Sequence, residues 1–156
     1  MNFLLPSGEI LEVDQEDAYL LSEHSWHLLW STRDGKRHKI KAVRTKINGK
    51  DVKLHRLIMN ANCDQQVDHR DGNPLNNHRS NLRFCTNAEN SRNRGIYTNN
   101  KIGFKGIYRR PSGRYWAKIG FNYKTISLGL YDSAELAHEA YKAAAIKYHG
   151  EFARFE

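Results

Sequence analysis

The sequence is poor in the residues that staple or anchor small proteins. Only two of its 156 residues are cysteines, Cys63 and Cys85. Two cannot build a disulfide framework, and neither has a partner at C-x₂-C spacing, which excludes a four-cysteine zinc site. No run of eighteen apolar residues occurs, so no membrane-spanning helix is expected. The opening MNFLLPSGEI lacks a basic start and a long apolar stretch and does not read as a secretory signal. These absences lead us to expect a cytoplasmic chain with reduced thiols and about one domain, or two very small ones. Internal repeats and low-complexity tracts are missing too. The first 30 residues hold six acids and neither Lys nor Arg.

The remainder is basic. The formal net charge is +8, although the first 30 residues contribute −6. Residues 31–60 carry ten bases against two acids, and residues 101–156 carry ten against five. The stretch between them, 61–100, is nearly neutral at +1. Clustered Lys and Arg of this kind mark a polyanion binder.

Local patterns predict an α+β chain. Phe3–Leu5 and Ile10-Leu11 flank a Pro6-Ser7-Gly8 turn, and a short helix over 15–22 follows Asp14. Strands are expected over 26–31 and 39–45 around the turn 33–36, and Asn48-Gly49 leads into another at 52–54. Leu54, Leu57 and Ile58 have helical spacing. A strand over 66–70 breaks at Asp71-Gly72-Asn73-Pro74, and Asn81–Cys85 returns. Thr86 and Glu89 form a capping box for a helix ending near Arg94-Gly95. A polar linker is placed at 96–102. Three strands follow, 103–110, 114–121 and 123–130. A last helix, capped at Asp132, carries an alanine-rich stripe from Ala137 to Tyr148 and stops at Gly150.

The middle segment, 68–90, reads DHRDGNPLNNHRSNLRFCTNAEN. Asp68 and the amide of Asn90 offer hard oxygen ligands, suited to Mg²⁺ with several retained waters. His69, with a side chain that titrates near neutrality, can take a proton from water. Neighbouring strand residues face opposite ways, so Asp68 and His69 serve one site only where the strand opens into the turn. His78 in the loop is a candidate helper, and His55 reads as a packed core histidine.

This stretch resembles the HNH, or ββα-metal, nuclease family. The resemblance rests on Asp68-His69, Asp71-Gly72-Asn73, Asn76-Asn77, Asn81-Leu82-Arg83, Thr86 and Glu89-Asn90, and reaches back to His55-Arg56-Leu57. It implies a catalytic pair, with His69 the general base and Asn81 holding the loop that positions it. It implies that Asp68 and Asn90 hold one divalent metal. An asparagine at the third motif position favours Mg²⁺ or Mn²⁺ over zinc. Arg94, four residues after Asn90, is a candidate grip for the scissile phosphate.

Residues 103–150 resemble the plant Apetala and ethylene-response-factor (AP2/ERF) DNA-binding domain. The matching segments are Gly106–Arg109, Gly113–Ile119, Leu128–Tyr131 and the alanine-rich helix. The resemblance implies a three-stranded antiparallel sheet that enters the major groove, braced by one helix. Alternation puts Arg114, Trp116 and Lys118 on one face, with Tyr115, Ala117 and Ile119 packing inward. Arg109, Arg110 and Lys124 extend the candidate DNA-binding face.

The expectation is therefore a β-rich nuclease module over 1–95 (core 50–95), the linker, and a DNA-addressing module over 103–156. It would act as a metal-dependent, site-preferring endonuclease of homing type on double-stranded DNA, leaving 5′-phosphate and 3′-hydroxyl ends. A phage or bacterial host cytoplasm is its expected setting. The alternatives are a DNA-binding regulator with a decayed nuclease site, and an RNA-binding module.

Overall fold

The computed structural model describes residues 1–33, 35–96 and 99–155, with the side chain of Arg33 left out. Part of the expected turn at 33–36 (Asp34), part of the expected linker (Tyr97 and Thr98) and the last residue of the expected second module, Glu156, lie outside the described residues. The fold is α+β and divides into two compact units, Met1–Asn87 and Ala88–Glu156. Among the described residues no helix is long and apolar enough to cross a membrane.

The first unit is a set of small sheets around one apolar core. Strand β1 (Asn2–Leu4) pairs antiparallel with β2 (Ile10–Val13). Between β2 and the next strand the expected single helix splits into a 3₁₀ turn, Gln15–Asp17, and α1 (Tyr19–Glu23). Strands β3 (His27–Arg33), β4 (Lys36–Ile47) and β5 (Lys50–Lys53) form an antiparallel meander. Asn48 and Gly49 both have positive φ, 50° and 75°, which is the backbone that a two-residue hairpin requires and that Asn-Gly adopts readily. A single helical turn, α2 (Leu54–Ile58), then leads to β6 (Gln66–His69), which pairs antiparallel with β8 (Leu82–Cys85). Between them the loop contributes a two-residue strand that the sequence did not signal, β7 (Asn76–Asn77), parallel to β2 with Val13 opposite Asn77. Leu11, Val13, Trp26, Val43, Leu54, Val67 and Leu82 share the core.

In the second unit α3 (Asn87–Arg92), which begins at the boundary, precedes β9 (Ile107–Arg109), β10 (Tyr115–Phe121) and β11 (Lys124–Tyr131), an antiparallel sheet with β10 central. Helix α4 (Ala134–His149) packs its alanine stripe on this sheet, burying Ala137, Tyr141, Ala144 and Ala145 against Ile107, Ala117 and Ile119. Small side chains on the helix let it lie close to the strands.

Three expectations needed correcting. The helix cap is Ser133, whose hydroxyl accepts the Leu136 N–H, and not Asp132. Asp132 is instead engaged by Arg114 Nε at 3.0 Å. The first strand is shorter than 103–110, because the chain turns at Gly106 with φ +75°. Helix α3 ends at Arg92, so Arg94 lies beyond it and the helix face it was expected to share with Asn90 does not extend that far.

Gly106 generates a stability prediction. A Cβ there would meet the Tyr141 ring at 2.3 Å and the Lys118 carbonyl at 2.7 Å, in a backbone conformation hostile to side chains. Gly106→Ala should cost about 1–3 kcal/mol, the usual range for overpacking. Urea denaturation measures it, and an unchanged midpoint would refute the packing described.

Candidate functional site

His69 closes β6 and is buried. Its Nε2 lies 3.2 Å from Asn77 Oδ1. Asn77 is fully buried, and its Nδ2 donates to the Pro74 carbonyl at 3.0 Å. A carbonyl can only accept, so the Asn77 amide group must face Pro74 and its oxygen must face His69. In neutral His69 the proton therefore sits on Nε2, and Nδ1 is the basic nitrogen. The His55 ring stands edge-on to His69, with centroids 4.9 Å apart at 76°. Burial pushes the His69 pKa below its usual value, against the upward pull of the Asn77 bond and of Asp71 and Asp68. Burial, with the positive charges of His69, Lys53 and Arg56 adding to it, pushes His55 down to about 3. Among the described residues His55 Nδ1 is buried without a hydrogen-bond partner.

Asn81 holds the loop from within, as its motif position implies. Its Oδ1 accepts the Asp71 N–H at 3.1 Å, and its Nδ2 donates to Asp71 Oδ1 at 3.0 Å and to the Asn76 carbonyl at 2.8 Å. Asp71 gathers further bonds from the Asn73 N–H and from Asn76 Nδ2, each 2.8 Å. Burial pushes the Asp71 carboxyl up, but the bonds from Asn73, Asn81 and Asn76 outweigh it and hold the pKa below the ordinary value.

The acidic N-terminal segment holds the same loop from outside. Arg79 donates Nε and Nη2 to the two oxygens of Asp17, at 2.9 and 2.7 Å, and Asp17 is almost fully buried. Asp14 accepts the Arg79 backbone N–H at 2.8 Å, and its other oxygen lies 2.8 Å from His78 Nδ1. Both contacts lower the Asp14 pKa. His78 thus faces Asp14 and Glu12, away from the helper role considered for it.

Asp68 sits beside His69 and is also buried, with Oδ2 accepting from Arg83 Nε at 3.2 Å and Nη2 at 3.0 Å. Asn90 lies half-buried on α3 and Arg94 is exposed, both in the second unit. Among the described residues no three His, Cys, Asp or Glu side chains cluster as a metal cage. A carboxylate and an amide oxygen nevertheless suit a hard cation that keeps most of its waters, so the donor chemistry fits Mg²⁺ in kind.

One side of the second unit's sheet gathers basic and aromatic side chains. Lys118 Nζ sits 4.2 Å from the Tyr108 ring centroid and 4.8 Å from that of Trp116, and the Arg110 guanidinium carbon lies 4.2 Å from the Trp116 centroid. Trp116 Nε1 donates to Ser127 Oγ at 2.8 Å. Arg109 and Lys124 are exposed, but they pair opposite Tyr115 and Phe121, which puts them on the side of the sheet that packs on α4 and not beside Trp116 as expected. Arg114 precedes β10 and donates Nη2 to the Leu130 carbonyl in addition to its pair with Asp132.

Sequence reasoning missed Asn77 as the partner of His69 and His55 as its neighbour. Both lie in segments that carry the family resemblance, but only the fold shows which asparagine of the Asn76-Asn77 pair turns inward.

Comparison with known proteins agrees with this region. Residues 52–92 match the model of the HNH endonuclease family. An uncharacterised HNH endonuclease of Acanthamoeba polyphaga mimivirus is 33% identical over 108 residues, which is 65% of this chain and 56% of the relative. The chain thus spans little more than half the length of that relative. No solved structure matches. Both matches are to HNH endonucleases and support a nuclease. Neither supports the AP2/ERF resemblance of the C-terminal sheet and helix.

The buried histidines generate a pH prediction. His55 titrates at about 3 when folded and near 6.5 when unfolded. Between those values the unfolded chain binds the extra proton, so stability falls as pH falls from about 6.5. The urea midpoint should decline between pH 6.5 and 4.5, above the carboxylate range, and should decline less in His55→Phe. Equal slopes in both proteins would contradict the burial of His55.

Proposed function

We propose that the chain is a metal-dependent, site-preferring DNA endonuclease of homing type that leaves 5′-phosphate and 3′-hydroxyl ends. The observation that carries the reading is the buried Asn77–His69 contact, which leaves His69 Nδ1 as the basic nitrogen. Burial keeps that imidazole neutral, and so able to accept a proton, to lower pH than an exposed histidine. In this reading Nδ1 takes a proton from a water molecule as the water oxygen attacks phosphorus. The bond from phosphorus to the 3′-oxygen breaks in line with the attack. Asp68 and Asn90 would hold a divalent cation, Mg²⁺ or Mn²⁺. When bound it supplies Lewis-acid stabilisation of the charge that builds on the phosphoryl and leaving oxygens. Asn81 acts through the loop and touches no reacting atom.

Residues 1–95 are the proposed cutting module and 103–156 the proposed AP2/ERF-like addressing module. What supports the latter is the sheet on one helix and its face of Arg110, Trp116 and Lys118; the exposed Arg109, Arg114 and Lys124 are retained as further DNA contacts. Arg94 is retained as a phosphate contact. The expected setting, the cytoplasm of a phage-infected or bacterial cell, belongs to this reading, and the relative is viral. One observation favours a second reading, a DNA-binding regulator with a decayed site: Arg83 already neutralises Asp68.

Supercoiled plasmid incubated with and without Mg²⁺ separates the two. The nuclease reading predicts metal-dependent nicked or linear product. It predicts a loss of about 10²–10⁴ in rate for His69→Ala with plasmid affinity retained. Asp68→Ala and Asn90→Ala should each shift the Mg²⁺ requirement upward, with partial recovery in Mn²⁺. Plasmid that stays supercoiled with wild type in either metal would establish the regulator instead.

A further inference from the structure

We propose that the outer half of the β3–β4 hairpin is a β-ribbon arm that enters the major groove of duplex DNA, an inference that rests on the nuclease reading for its substrate.

The hairpin has two halves of opposite character. Near its base, Leu28 pairs with Val43 and Leu29 with Ala42, and Val43 and Ala42 are buried in the first unit. Beyond Trp30 the burial stops: from 30 to 41 no described residue is buried. Six residues of strand, Lys36 to Lys41, correspond to about 20 Å of ribbon. A two-stranded ribbon of this kind gains little from a core and is marginal alone in water.

The charge of this outer half is one-sided. Its described basic residues are Lys36, Arg37, Lys39 and Lys41, and the only acid between 30 and 41 is Asp34. At the base, by contrast, Arg44 is paired with Asp51 at 3.0 Å. The ribbon is also shaped. The β3–β4 register shifts twice, between Leu29 and Trp30 and between Ser31 and Thr32. Bulges of this type increase right-handed twist. The Ser31 hydroxyl satisfies the disturbed ladder by bonding both the N–H and the carbonyl of Lys39, each at 3.1 Å. The Arg37 guanidinium carbon lies 5.8 Å from the Trp30 ring centroid, which stiffens the outer half.

A twisted two-stranded ribbon fits the B-form major groove, which is about 12 Å wide. The A-form major groove is deep and narrow and does not admit it. The occupant is therefore duplex DNA, held chiefly through phosphates by the lysines. None of these residues belongs to the His69 site or to the C-terminal sheet.

The test is binding without cutting. The full chain carrying His69→Ala is titrated, without divalent metal, against a mixed-sequence DNA duplex and the same sequence as duplex RNA over a range of salt. Adding Lys36→Gln, Arg37→Gln, Lys39→Gln and Lys41→Gln should lower the slope of log K against log salt by about 0.9 for each phosphate no longer neutralised, roughly 3.6 in all. Replacing the three lysines by Arg should keep the slope. The Trp fluorescence change on adding DNA should shrink in Trp30→Phe. An unchanged slope in the Gln variant, an equal loss on duplex RNA, or a loss in the Arg variant as well would each overturn the proposal. The readout needs no cleavage, so failure of the ribbon and failure of the nuclease reading are separable.

Discussion

A buried histidine is a base of defined geometry only if something fixes which of its nitrogens carries the proton. Here that is the amide of Asn77, itself turned by the Pro74 carbonyl. Asn77 sits in a loop, and a loop of this polarity would ordinarily wander. The local structure around it is best understood as the means of preventing that. Asn81 and Asp71 brace the loop from inside, and β2 pairs along its outer edge.

The acidic N-terminal segment now has a physical role. A basic chain proposed to bind DNA gains nothing from acids on its binding face, yet the first 30 residues carry six of them. Asp14 and Asp17 are directed at His78 and Arg79, and Asp17 is buried in doing so. Removing Arg79 would leave the buried Asp17 carboxylate without its partner, which is costly. The segment thus ties the site's loop to the apolar core formed by Leu11 and Val13.

Much of this was legible in the sequence. Asn48-Gly49, the Asp71–Pro74 turn and the alanine stripe each dictate backbone directly, and each element formed where its chemistry required. Asp68 and His69 stood out by residue type, and Asn81 by the family resemblance. The rest depended on contacts distant in sequence. Two residues are too few for a strand signal, so β7 emerged only from its pairing with β2. Ser133 and not Asp132 caps the helix, and Asp132 is instead engaged by Arg114, eighteen residues earlier in the chain. That Asn77 meets His69, and that Arg83 meets Asp68, follows from the β6–β8 register and the loop path, which no local pattern encodes.

If Asn77 is what makes His69 a usable base, single-turnover nicking of supercoiled plasmid by Asn77→Leu must show it. Leucine is close in size but cannot accept the Nε2 proton. The predicted rate is lower by about 10²–10⁴ with plasmid affinity unchanged, and falls no further when His69→Ala is added. Nicking by Asn77→Leu at the wild-type rate would contradict the role given to Asn77.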